Sequence, residues 1–399
     1  MQIKKLPSDF EQALPVLEEI EKAGFEAYFV GGSVRDHILG LPIHDVDIAT
    51  SAYPEEIKTI FKRTVDTGIQ HGTVTVLVGD DSYEITTFRT ESGYQDFRRP
   101  DQVTFVRSLE DDLKRRDFTI NALAVDRNGN VIDKFDGLGD LKKQIIRAVG
   151  KAEERFHEDA LRMMRAVRFQ SQLDFTVETE TAKAIKDNSY LLEKIAVERV
   201  REEFIKLMLG KAWQTGFNDF LKLNLSEYCP AFKNQRDNLA KLLKLDDLKF
   251  VDEEAAWTAI GYAMDLTPKQ FNKMLRDWKV SNKSRETSVA TDKMLKNFKK
   301  GNFDLWDIYS LGVDNFARTV SLCKLFKIKL DDKNLSEEVL NIPIKSSRDL
   351  AITGNDIIKI LKIKPGPEIG KLMSEIEHKV VEGTVYNNFD KLAQYLLSE

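Results

Sequence analysis

Cysteine and histidine are scarce in this chain. Of its 399 residues two are cysteine, Cys229 and Cys323, and five are histidine. The cysteines lie far apart and neither belongs to a CxxC pair, which argues against a disulfide framework and a zinc site. No apolar run approaches the ~18 residues that cross a bilayer, and no apolar block follows the first lysines as in a secretory signal. We therefore expect a cytoplasmic protein with no membrane partner.

The composition is otherwise that of an ordinary globular protein, with 42% hydrophobic and 31% charged residues. Disorder needs fewer apolar residues and a larger net charge. The length exceeds what one hydrophobic core usually supports, so we expect several domains. The net charge of −5 argues weakly against a nucleic-acid partner, but phosphate binding depends on where the charges lie.

The pattern of the chain changes near residue 150. Before that point, helical spacing predicts a helix over residues 10–23 that ends near Gly24. Alternating or β-rich runs predict strands at residues 27–30, 73–78, 83–88 and 121–125, with a hairpin turn at 79–82. From about residue 153 amphipathic helical patterns dominate and strand signals nearly vanish. The expected fold class is α+β, with an α/β head followed by an all-helical remainder.

Asp45 and Asp47 are the first candidate catalytic residues. In a strand, residues two apart project from the same face, so both carboxylates would point to one place. Two like charges there are costly unless a cation lies between them. Mg²⁺ binds through a few carboxylates, waters and substrate phosphates, and a pair of such ions would orient an attacking hydroxyl and neutralise a departing pyrophosphate. We interpret the pair as catalytic magnesium ligands.

The residues just upstream, 30–36 (VGGSVRD), favour a triphosphate as the ligand. Gly31 and Gly32 let the backbone approach phosphate, and the following N–H groups open a helix whose N-terminus attracts anions. Arg35 adds a forked donor. One alternative is a surface loop with a chance Asp-x-Asp pattern, which the glycines and Arg35 disfavour. Another is the metal dyad of an HD-type phosphohydrolase, which would need further histidine and aspartate ligands on helices.

The pattern GGSVRD followed by HDVDIAT resembles the head of the polymerase β nucleotidyltransferase superfamily. More narrowly, it is similar to class II CCA-adding enzymes (tRNA nucleotidyltransferases) of the Gram-positive bacterial type and to bacterial poly(A) polymerases. Further segments resemble the family in the same order: residues 67–73 (TGIQHGT), 115–122 (RRDFTINA), 158–162 (EDALR), 165–169 (RAVRF) and 196–200 (AVERV). The resemblance covers the first half strongly and extends into the tail.

This resemblance implies a specific division of the chain. Residues 1–150 would form a catalytic head with a mixed sheet. An elongated all-α part would follow, made of a neck that selects the nucleotide (151–210), a body (211–300) and a tRNA-binding tail (301–399). Tail segments 349–354 and 364–370 carry the resemblance there, and it implies recognition of tRNA by shape. The resemblance also allows a homodimer.

Asp159 and Arg162 stand three residues apart, which would place them side by side on a helix. A carboxylate accepts from an amino group, and a guanidinium donates to a ring nitrogen. Cytosine and adenine share that edge, whereas uracil and guanine present the reverse. A wrong base would leave buried polar groups unpaired. The alternative is an ordinary salt bridge on a solvated helix face, but nearby Arg165 and Arg168 favour the functional interpretation.

The resemblance assigns roles to several of these residues. Asp159 and Arg162 would read the base, Arg165 and Arg168 would help bind the nucleotide, and Arg116 would contact it. The full set expected to bind CTP and ATP is Gly32, Arg35, Arg116, Asp159, Arg162, Arg165 and Arg168. Asp117 is expected to support the site. Glu84 is either a third catalytic carboxylate or a surface residue, and the sequence leaves both readings open.

Two further segments bear on the substrate. Residues 89–100 are polar and contain glycine, which predicts a mobile loop; in the resembled family a loop here accompanies full CCA addition, and the alternative is a hairpin tip without function. Lys269, Lys273 and Arg276 recur at helical spacing. Such a face would bind a phosphate backbone, although lysine-rich faces are more often simply solvated.

The expected function is template-independent addition of C, C and A to the 3′ end of tRNA, from CTP and ATP, with release of pyrophosphate. Within the superfamily the alternatives are a poly(A) polymerase and an enzyme that adds only the two cytidines. From a different class, the alternative is a catalytically silent RNA-binding protein. The presence of both Asp45 and Asp47 argues against that last reading.

Overall fold

The computed structural model describes residues 1–95, 99–245 and 249–398. They form two compact units, Met1–Arg236 and Asp237–Glu399. The four-part division into head, neck, body and tail remains a prediction. Within the described residues, no helix combines the length and the apolar character needed to cross a membrane.

The first unit begins with a mixed sheet and the helices around it. The strands are β1 (Ala27–Val30), β2 (Asp47–Thr50), β3 (Thr64–Gly68), β4 (Thr73–Val78), β5 (Asp81–Thr87), β6 (Arg89–Gln95), β7 (Arg99–Phe105), β8 (Leu123–Val125), β9 (Val131–Asp133), β10 (Ile145–Ile146) and β11 (Thr176–Val177). Seven of them form one sheet in the order β3-β4-β5-β2-β1-β8-β9. Strand β1 is antiparallel to β2 and β8, whereas β2 is parallel to β5. The predicted mixed sheet is confirmed.

The helices of the first unit surround this sheet and continue beyond it. They are α1 (Ser8–Lys22), α2 (Gly32–Ile38), α3 (Pro54–Ile60), α4 (Leu109–Lys114), α5 (Gly137–Lys143), α6 (Ala152–Glu158), α7 (Leu161–Leu173), α8 (Thr179–Asn188), α9 (Val197–Met208) and α10 (Trp213–Lys222). Helix α1 buries its apolar face, and its Phe10 ring stacks on Phe29 of β1 with centroids 4.2 Å apart. This contact fixes the strand that leads into the glycine pair.

Local sequence signals predicted four of these strands, β1, β4, β5 and β8. Strands β1 and β4 have the predicted bounds, and Gly79 (φ 62°) with Asp80 makes the two-residue turn into β5. The strand predicted at residues 121–125 is shorter, because residues 119–121 form a 3₁₀ turn before β8. The first helix ends as predicted, with Gly24 at φ 91° donating its N–H to the Glu21 carbonyl.

One prediction of a loop is wrong. The segment predicted as a loop at residues 89–100 is largely an antiparallel ribbon of β6 and β7, with register from Arg89↔Phe105 to Gln95↔Arg99; residues 96–98 of that segment lie outside the described residues. The described part after residue 153 is helical as predicted, apart from one short strand. Strand β11 pairs with β10 in parallel, a pairing of two residues that is too short to leave a strand pattern in the sequence.

The second unit is helical throughout its described part. After α11 (Arg236–Ala240), which spans the junction, come α12 (Glu253–Ala263), α13 (Pro268–Asp277), α14 (Asn282–Lys300), α15 (Leu305–Leu311), α16 (Val313–Leu325), α17 (Asp332–Leu340), α18 (Gly354–Leu361), α19 (Pro367–Val381) and α20 (Phe389–Ser398). The last helices share a hydrophobic core that includes Ile357, Val380 and Leu392. On α13 the predicted basic residues Lys269, Lys273 and Arg276 are exposed.

Candidate active site

A cleft of about 790 Å³ opens in the first unit, between the sheet and helices α7 and α9. Arginines and carboxylates dominate its walls. Every residue that the sequence predicted for catalysis or nucleotide binding lines it: Gly32, Arg35, Asp45, Asp47, Arg116, Asp159, Arg162, Arg165 and Arg168. Residues more than 120 positions apart in the chain therefore meet at one place.

The two predicted metal ligands, Asp45 and Asp47, enter the cleft from different local structures. Asp47 is the first residue of β2, whereas Asp45 lies in the irregular segment before it. The expectation that both lie on one strand is therefore wrong, because regular pairing with β5 begins only at Asp47. Both still line the same cleft. Glu84 lies opposite Asp47 in the parallel register of β2 and β5, and it lines a smaller cavity together with both aspartates.

The electrostatics around Asp47 disfavour its negative charge. Its side chain is accessible to water, yet it lies in a concave wall where protein atoms displace much of the surrounding solvent. That desolvation raises the pKa of Asp47, Arg116 opposes it, and Glu84 and Asp45 raise the pKa further. Loss of solvent and two neighbouring carboxylates therefore disfavour the charge on Asp47, and a divalent cation would offset both effects.

The turn between β1 and α2 requires glycine. Gly31 has φ 72° and ψ −131°, a conformation that side chains strongly disfavour. A Cβ built there would lie 2.9 Å from Nη1 of Arg116. The Arg116 side chain donates to the Asp112 carboxylate at 3.1 Å and to the Asn121 carbonyl at 3.4 Å. The bare backbone of this turn therefore lets the Arg116 guanidinium lie beside Gly31 and face Asp47.

A buried polar network links the sheet side of the cleft to α7. Arg35 is 8% exposed, and it donates to both carboxylate oxygens of Asp36 at 2.9 Å and to the Asn121 amide oxygen at 2.5 Å. Asn121 in turn donates to Asp117 at 3.0 Å, and Asp117 accepts from Nε of Arg165 at 2.7 Å. Arg35 and Arg165 are thus held by one chain of hydrogen bonds.

Asp117 is the acidic centre of this network. Burial of its carboxyl would by itself raise the pKa, but the Arg165 guanidinium and the hydrogen bond from Asn121 outweigh burial and hold the pKa well below its ordinary value. The carboxylate is therefore charged at any working pH. Its position supports the expectation that Asp117 holds an arginine, and identifies that arginine as Arg165.

Asp159 and Arg162 do not share a helix, contrary to the prediction. Helix α6 ends at Glu158, Asp159 is extended (φ −138°, ψ 103°), and α7 begins at Leu161. The break forms because the Asp159 carboxylate accepts the backbone N–H of Leu161 at 3.0 Å. Nothing in the sequence marks it, since no glycine or proline lies nearby.

The two side chains also have separate partners. Arg162 donates to the Glu158 carboxylate at 2.8 Å and to the Arg115 carbonyl at 2.8 Å. Asp159 accepts from Nη2 of Arg199 at 3.1 Å. They form no ion pair with each other in the described structure, so the alternative of an ordinary i,i+3 salt bridge is excluded. Each is oriented by its own neighbours and both line the cleft.

Farther along α7, an aromatic ring gathers the arginines. The guanidinium carbons of Arg168, Arg35 and Arg165 lie 3.9, 5.0 and 5.3 Å from the centre of the Phe169 ring, within the range of cation–π attraction. Arg168 also pairs with Glu203 of α9 at 2.5 Å. Burial lowers the pKa of Arg168 despite this carboxylate, but guanidinium groups stay charged at neutral pH.

Comparison with known proteins identifies the family. Three family profiles match: "Poly A polymerase head domain" over residues 27–147, "Probable RNA and SrmB- binding site of polymerase A" over residues 174–235, and "tRNA nucleotidyltransferase domain 2 putative" over residues 248–396. A CCA-adding enzyme of Ligilactobacillus salivarius is 51% identical over 402 residues, covering 100% of both chains. One of Lactobacillus delbrueckii subsp. bulgaricus is 53% identical, covering 97% of both. The chain belongs to the CCA-adding enzymes.

A solved structure agrees with this membership of the CCA-adding enzymes. The crystal structure of the Bacillus stearothermophilus CCA-adding enzyme in complex with CTP is 36% identical to this chain, covers 98% of both chains and superposes with a TM-score of 0.88. Members of the family are tRNA nucleotidyltransferases, and nucleotidyltransferases of this family use divalent metal ions.

The donor set in the cleft fits such an ion. Over the described residues, no three histidine, cysteine or acidic side chains converge as ligands, so the chain offers the pair Asp45 and Asp47, with Glu84 near Asp47. Two carboxylates with open positions suit a hard cation that keeps waters and accepts substrate phosphate oxygens. They do not suit a closed structural site.

Sequence reasoning missed several residues of the cleft. Asn121, Arg199 and Glu203 orient the predicted arginines or Asp159, and Phe169 and Lys206 also line the wall. Three of them lie in segments that carry the family resemblance, so their positions were marked but not their roles. Arg199 lies 40 residues from its partner Asp159, and Asn121 lies 86 residues from its partner Arg35. Local sequence patterns do not reveal contacts over such separations.

Proposed function

We propose that this protein adds C, C and A to the 3′ end of tRNA, taking the nucleotides from CTP and ATP and releasing pyrophosphate. The observation that carries the proposal is the single cleft in which the acidic pair Asp45 and Asp47 faces a wall of arginines. The cleft would thus join a metal-binding end to a base-reading end. Family membership supports CCA addition over poly(A) synthesis, since full-length relatives are named CCA-adding enzymes.

Asp45 and Asp47 would hold Mg²⁺ through their carboxylates. When bound, the ion polarises the α-phosphate and lowers the pKa of the attacking 3′-hydroxyl. The protein's own contribution is positioning and charge. Arg35 and Arg116 offer donors to the triphosphate beside the bare backbone of Gly31 and Gly32, and their buried partners keep them in place before the nucleotide arrives.

Metal dependence tests this assignment. We expect EDTA to abolish incorporation and added Mg²⁺ to restore it, because the two carboxylates repel each other and the triphosphate without a cation. Asp45→Asn should reduce the rate by at least about a hundredfold, in the range seen when charge stabilisation of a transition state is removed. Incorporation that continues undiminished in EDTA would contradict the role of the pair.

Asp159 and Arg162 would select the base. The described contacts of Arg162 use its Nη1 and one N–H of Nη2, so donors on Nε and Nη2 remain for a ring nitrogen. Asp159 retains lone pairs for an exocyclic amino group. Cytosine and adenine match this edge, and uracil and guanine leave like groups facing each other. Arg165 and Arg168 would complete the nucleotide site.

The second unit would hold the tRNA. Its matching profile is that of a tRNA nucleotidyltransferase domain, and we propose a helical body and tail within it, after a neck that carries the base-reading residues. The two compact units do not by themselves mark where the neck, body and tail begin and end. The homodimer allowed by the resemblance stays a prediction.

Product analysis decides between the candidate activities. The purified protein would be incubated with a tRNA that lacks its CCA end, with CTP and ATP separately and together. We expect two cytidines with CTP alone and one further adenosine when ATP is added. Long adenylate tails would indicate a poly(A) polymerase. If the product ends after two cytidines even when CTP and ATP are both present, the protein is a CC-adding enzyme. If nothing is incorporated, it is an RNA-binding protein without activity.

A further inference from the structure

A second cleft, of about 640 Å³, is lined only by residues of the second unit. It has a basic rim and an aromatic floor. The rim carries Lys241, Lys296, Lys299 and Lys300, and the floor is formed by Tyr262 and Phe326. This combination of ammonium groups and rings differs from the first cleft, whose cations are mainly arginines.

The floor presents two half-buried rings. Tyr262 of α12 and Phe326, at the end of α16, have centroids 4.4 Å apart with planes inclined at 49°. Ala263 continues the apolar surface beside them. Aromatic rings that remain accessible from a cleft can stack with a planar group such as a nucleobase.

Lys296 is fixed before any ligand binds. Its ammonium group donates to the Leu266 carbonyl at 2.6 Å and to the Asp292 carboxylate at 2.8 Å, and Asp292 is 1% exposed. An ammonium group has three N–H donors, so one remains for a ligand in the cleft. Holding the side chain in advance reduces the entropy lost on binding.

Lys299 and Lys300 are exposed and have no carboxylate within ion-pair distance in the part of the chain that the structure describes. The ammonium nitrogen of Lys299 lies 5.6 Å from the centre of the Tyr262 ring. Both residues lie in the last turn of α14, where a positive charge also stabilises the helix end. Stabilisation of the α14 helix end does not explain why Lys241, from another segment, and the rings of Tyr262 and Phe326 line the same cleft.

Counted over the residues that the structure describes, the balance of charge in the cleft is positive. Four lysines face it, against the carboxylates of Asp265 in its wall and Asp292 behind Lys296. Among the described lining residues there is no arginine and no glycine-rich turn, both of which the proposed triphosphate site of the first unit has. Ammonium groups spread along a rim suit a repeating phosphate backbone better than a compact triphosphate.

We propose that this cleft binds single-stranded or looped RNA, with a phosphodiester held by Lys296, Lys299 and Lys300 and an adjacent base lying on Tyr262 and Phe326. The identification of the ligand as RNA rests on the proposed function. A free nucleotide offers the same phosphate and base chemistry, so the experiment has to separate the two sources.

The test is tRNA binding by the full chain without CTP or ATP, measured over a range of KCl concentrations. The variant is Lys299→Glu with Lys300→Glu. We expect a weaker Kd at every salt concentration and a salt slope smaller by about 1 for each lysine that contacts phosphate. Lys4→Glu with Lys5→Glu is the matched control, because these lysines are also adjacent and exposed and the net charge changes equally. Its slope should equal that of the wild type.

A second variant tests the floor. Phe326→Leu keeps an apolar side chain but removes the ring, and we expect tRNA binding to weaken by about fivefold or more with an unchanged salt slope, as for the loss of one stacked base. Tyr262→Phe, which keeps the ring, should bind as the wild type does. Thermal unfolding of each variant shows whether the fold is retained.

Two results would overturn the proposal. In one, the Lys299/Lys300 variant binds tRNA with the affinity and slope of the control. In the other, tRNA binding is retained but equilibrium dialysis with ATP loses a second binding site, which would make a free nucleotide the ligand. Failure of the proposed function would look different, since the wild-type protein would then add no cytidine to tRNA, whatever its affinity for RNA.

Discussion

At the scale of single residues, the first cleft depends on charged side chains that hold one another in place. Asp117 fixes Arg165, Asn121 joins Asp117 to Arg35, and Arg199 holds Asp159. Each link is a buried or half-buried hydrogen bond between charged or polar groups. The loss of one partner leaves the other without compensation in a region of low dielectric.

Replacing Asp117 tests this dependence. We expect Asp117→Asn to destabilise the first unit by about 2 kcal/mol at pH 7, less than the full cost of breaking a buried pair because Arg165 is 34% exposed. The folded pKa of Asp117 is depressed, so its stabilisation is present above the unfolded pKa of about 3.9 and is lost as the pH falls through the folded value.

Urea unfolding at several pH values measures that difference. The gap between wild type and Asp117→Asn should be constant from pH 7 to about pH 5 and shrink below about pH 4. Asp187→Asn is the control, because Asp187 is exposed. A gap that grows as the pH falls would show that the carboxylate does not act as a buried anion.

At the scale of elements, two short connections shape the cleft: the turn from β1 to α2 and the break between α6 and α7. The first could be predicted from residues 30–36, because adjacent glycines before a helix have few other uses. The second could not, because residues 158–162 (EDALR) have good helix formers and no breaker. The break forms because the Asp159 carboxylate accepts the backbone N–H of Leu161. Helix propensities do not predict such a local side-chain hydrogen bond.

The turn gives a sharp prediction. Gly31→Ala should lose most activity and about 1–3 kcal/mol of stability, because the backbone is strained for a side chain and the new Cβ meets Arg116. Gly40→Ala has a similar positive φ of 67° but no atom within 4 Å of its Cβ. It should lose stability alone, and steady-state kinetics with CTP separates the two effects. Equal losses of activity in both variants would remove the special role of Gly31.

The break between α6 and α7 gives another. Asp159→Ala and Arg162→Ala should each raise incorporation of U and G relative to C and A by about 5- to 150-fold, the cost of roughly 1–3 kcal/mol for an unpaired buried group. Glu154→Ala, on the exposed side of α6, is the control. tRNA affinity should change little, and unchanged discrimination in both variants would contradict the base-reading role.

At the scale of the whole molecule, an acidic chain has to bind a polyanion. The net charge of −5 hides strong local differences, since the cleft walls of the first unit are rich in arginine and the second cleft is rimmed by lysine. Long-range attraction between protein and tRNA is therefore weak, and binding depends on contacts at these patches.

Salt should separate the two substrates. As KCl rises from about 0.05 to 0.2 M we expect KM for tRNA to increase steeply, because several phosphates exchange counterions for lysines. KM for CTP should change less, since the arginines of the first cleft are largely shielded from solvent and their interactions are screened less. Initial-rate measurements at saturating levels of the other substrate give both values. Parallel increases would show that the nucleotide site is as exposed to screening as the RNA surface.

The sequence predicted what is local and missed what is tertiary. Strand β1, strand β4, the first helix and all nine candidate site residues follow from short patterns and the family motifs. The sequence does not predict the ribbon of β6 and β7, because its polar residues show little alternation of apolar and polar positions. The partners Asn121, Arg199 and Glu203 were missed, since each contact joins segments that only the folded chain brings together.

One hydrogen bond links the proposed base-reading residue Arg162 to the segment that carries Arg116. Arg162 donates to the carbonyl of Arg115, and the next residue, Arg116, faces the acidic pair across Gly31. A change that shifts Arg162, the proposed base-reading arginine, should therefore also shift the backbone next to Arg116. Variants engineered to incorporate other nucleotides should therefore have a lower catalytic rate. The rate would recover only with compensating substitutions around residue 115.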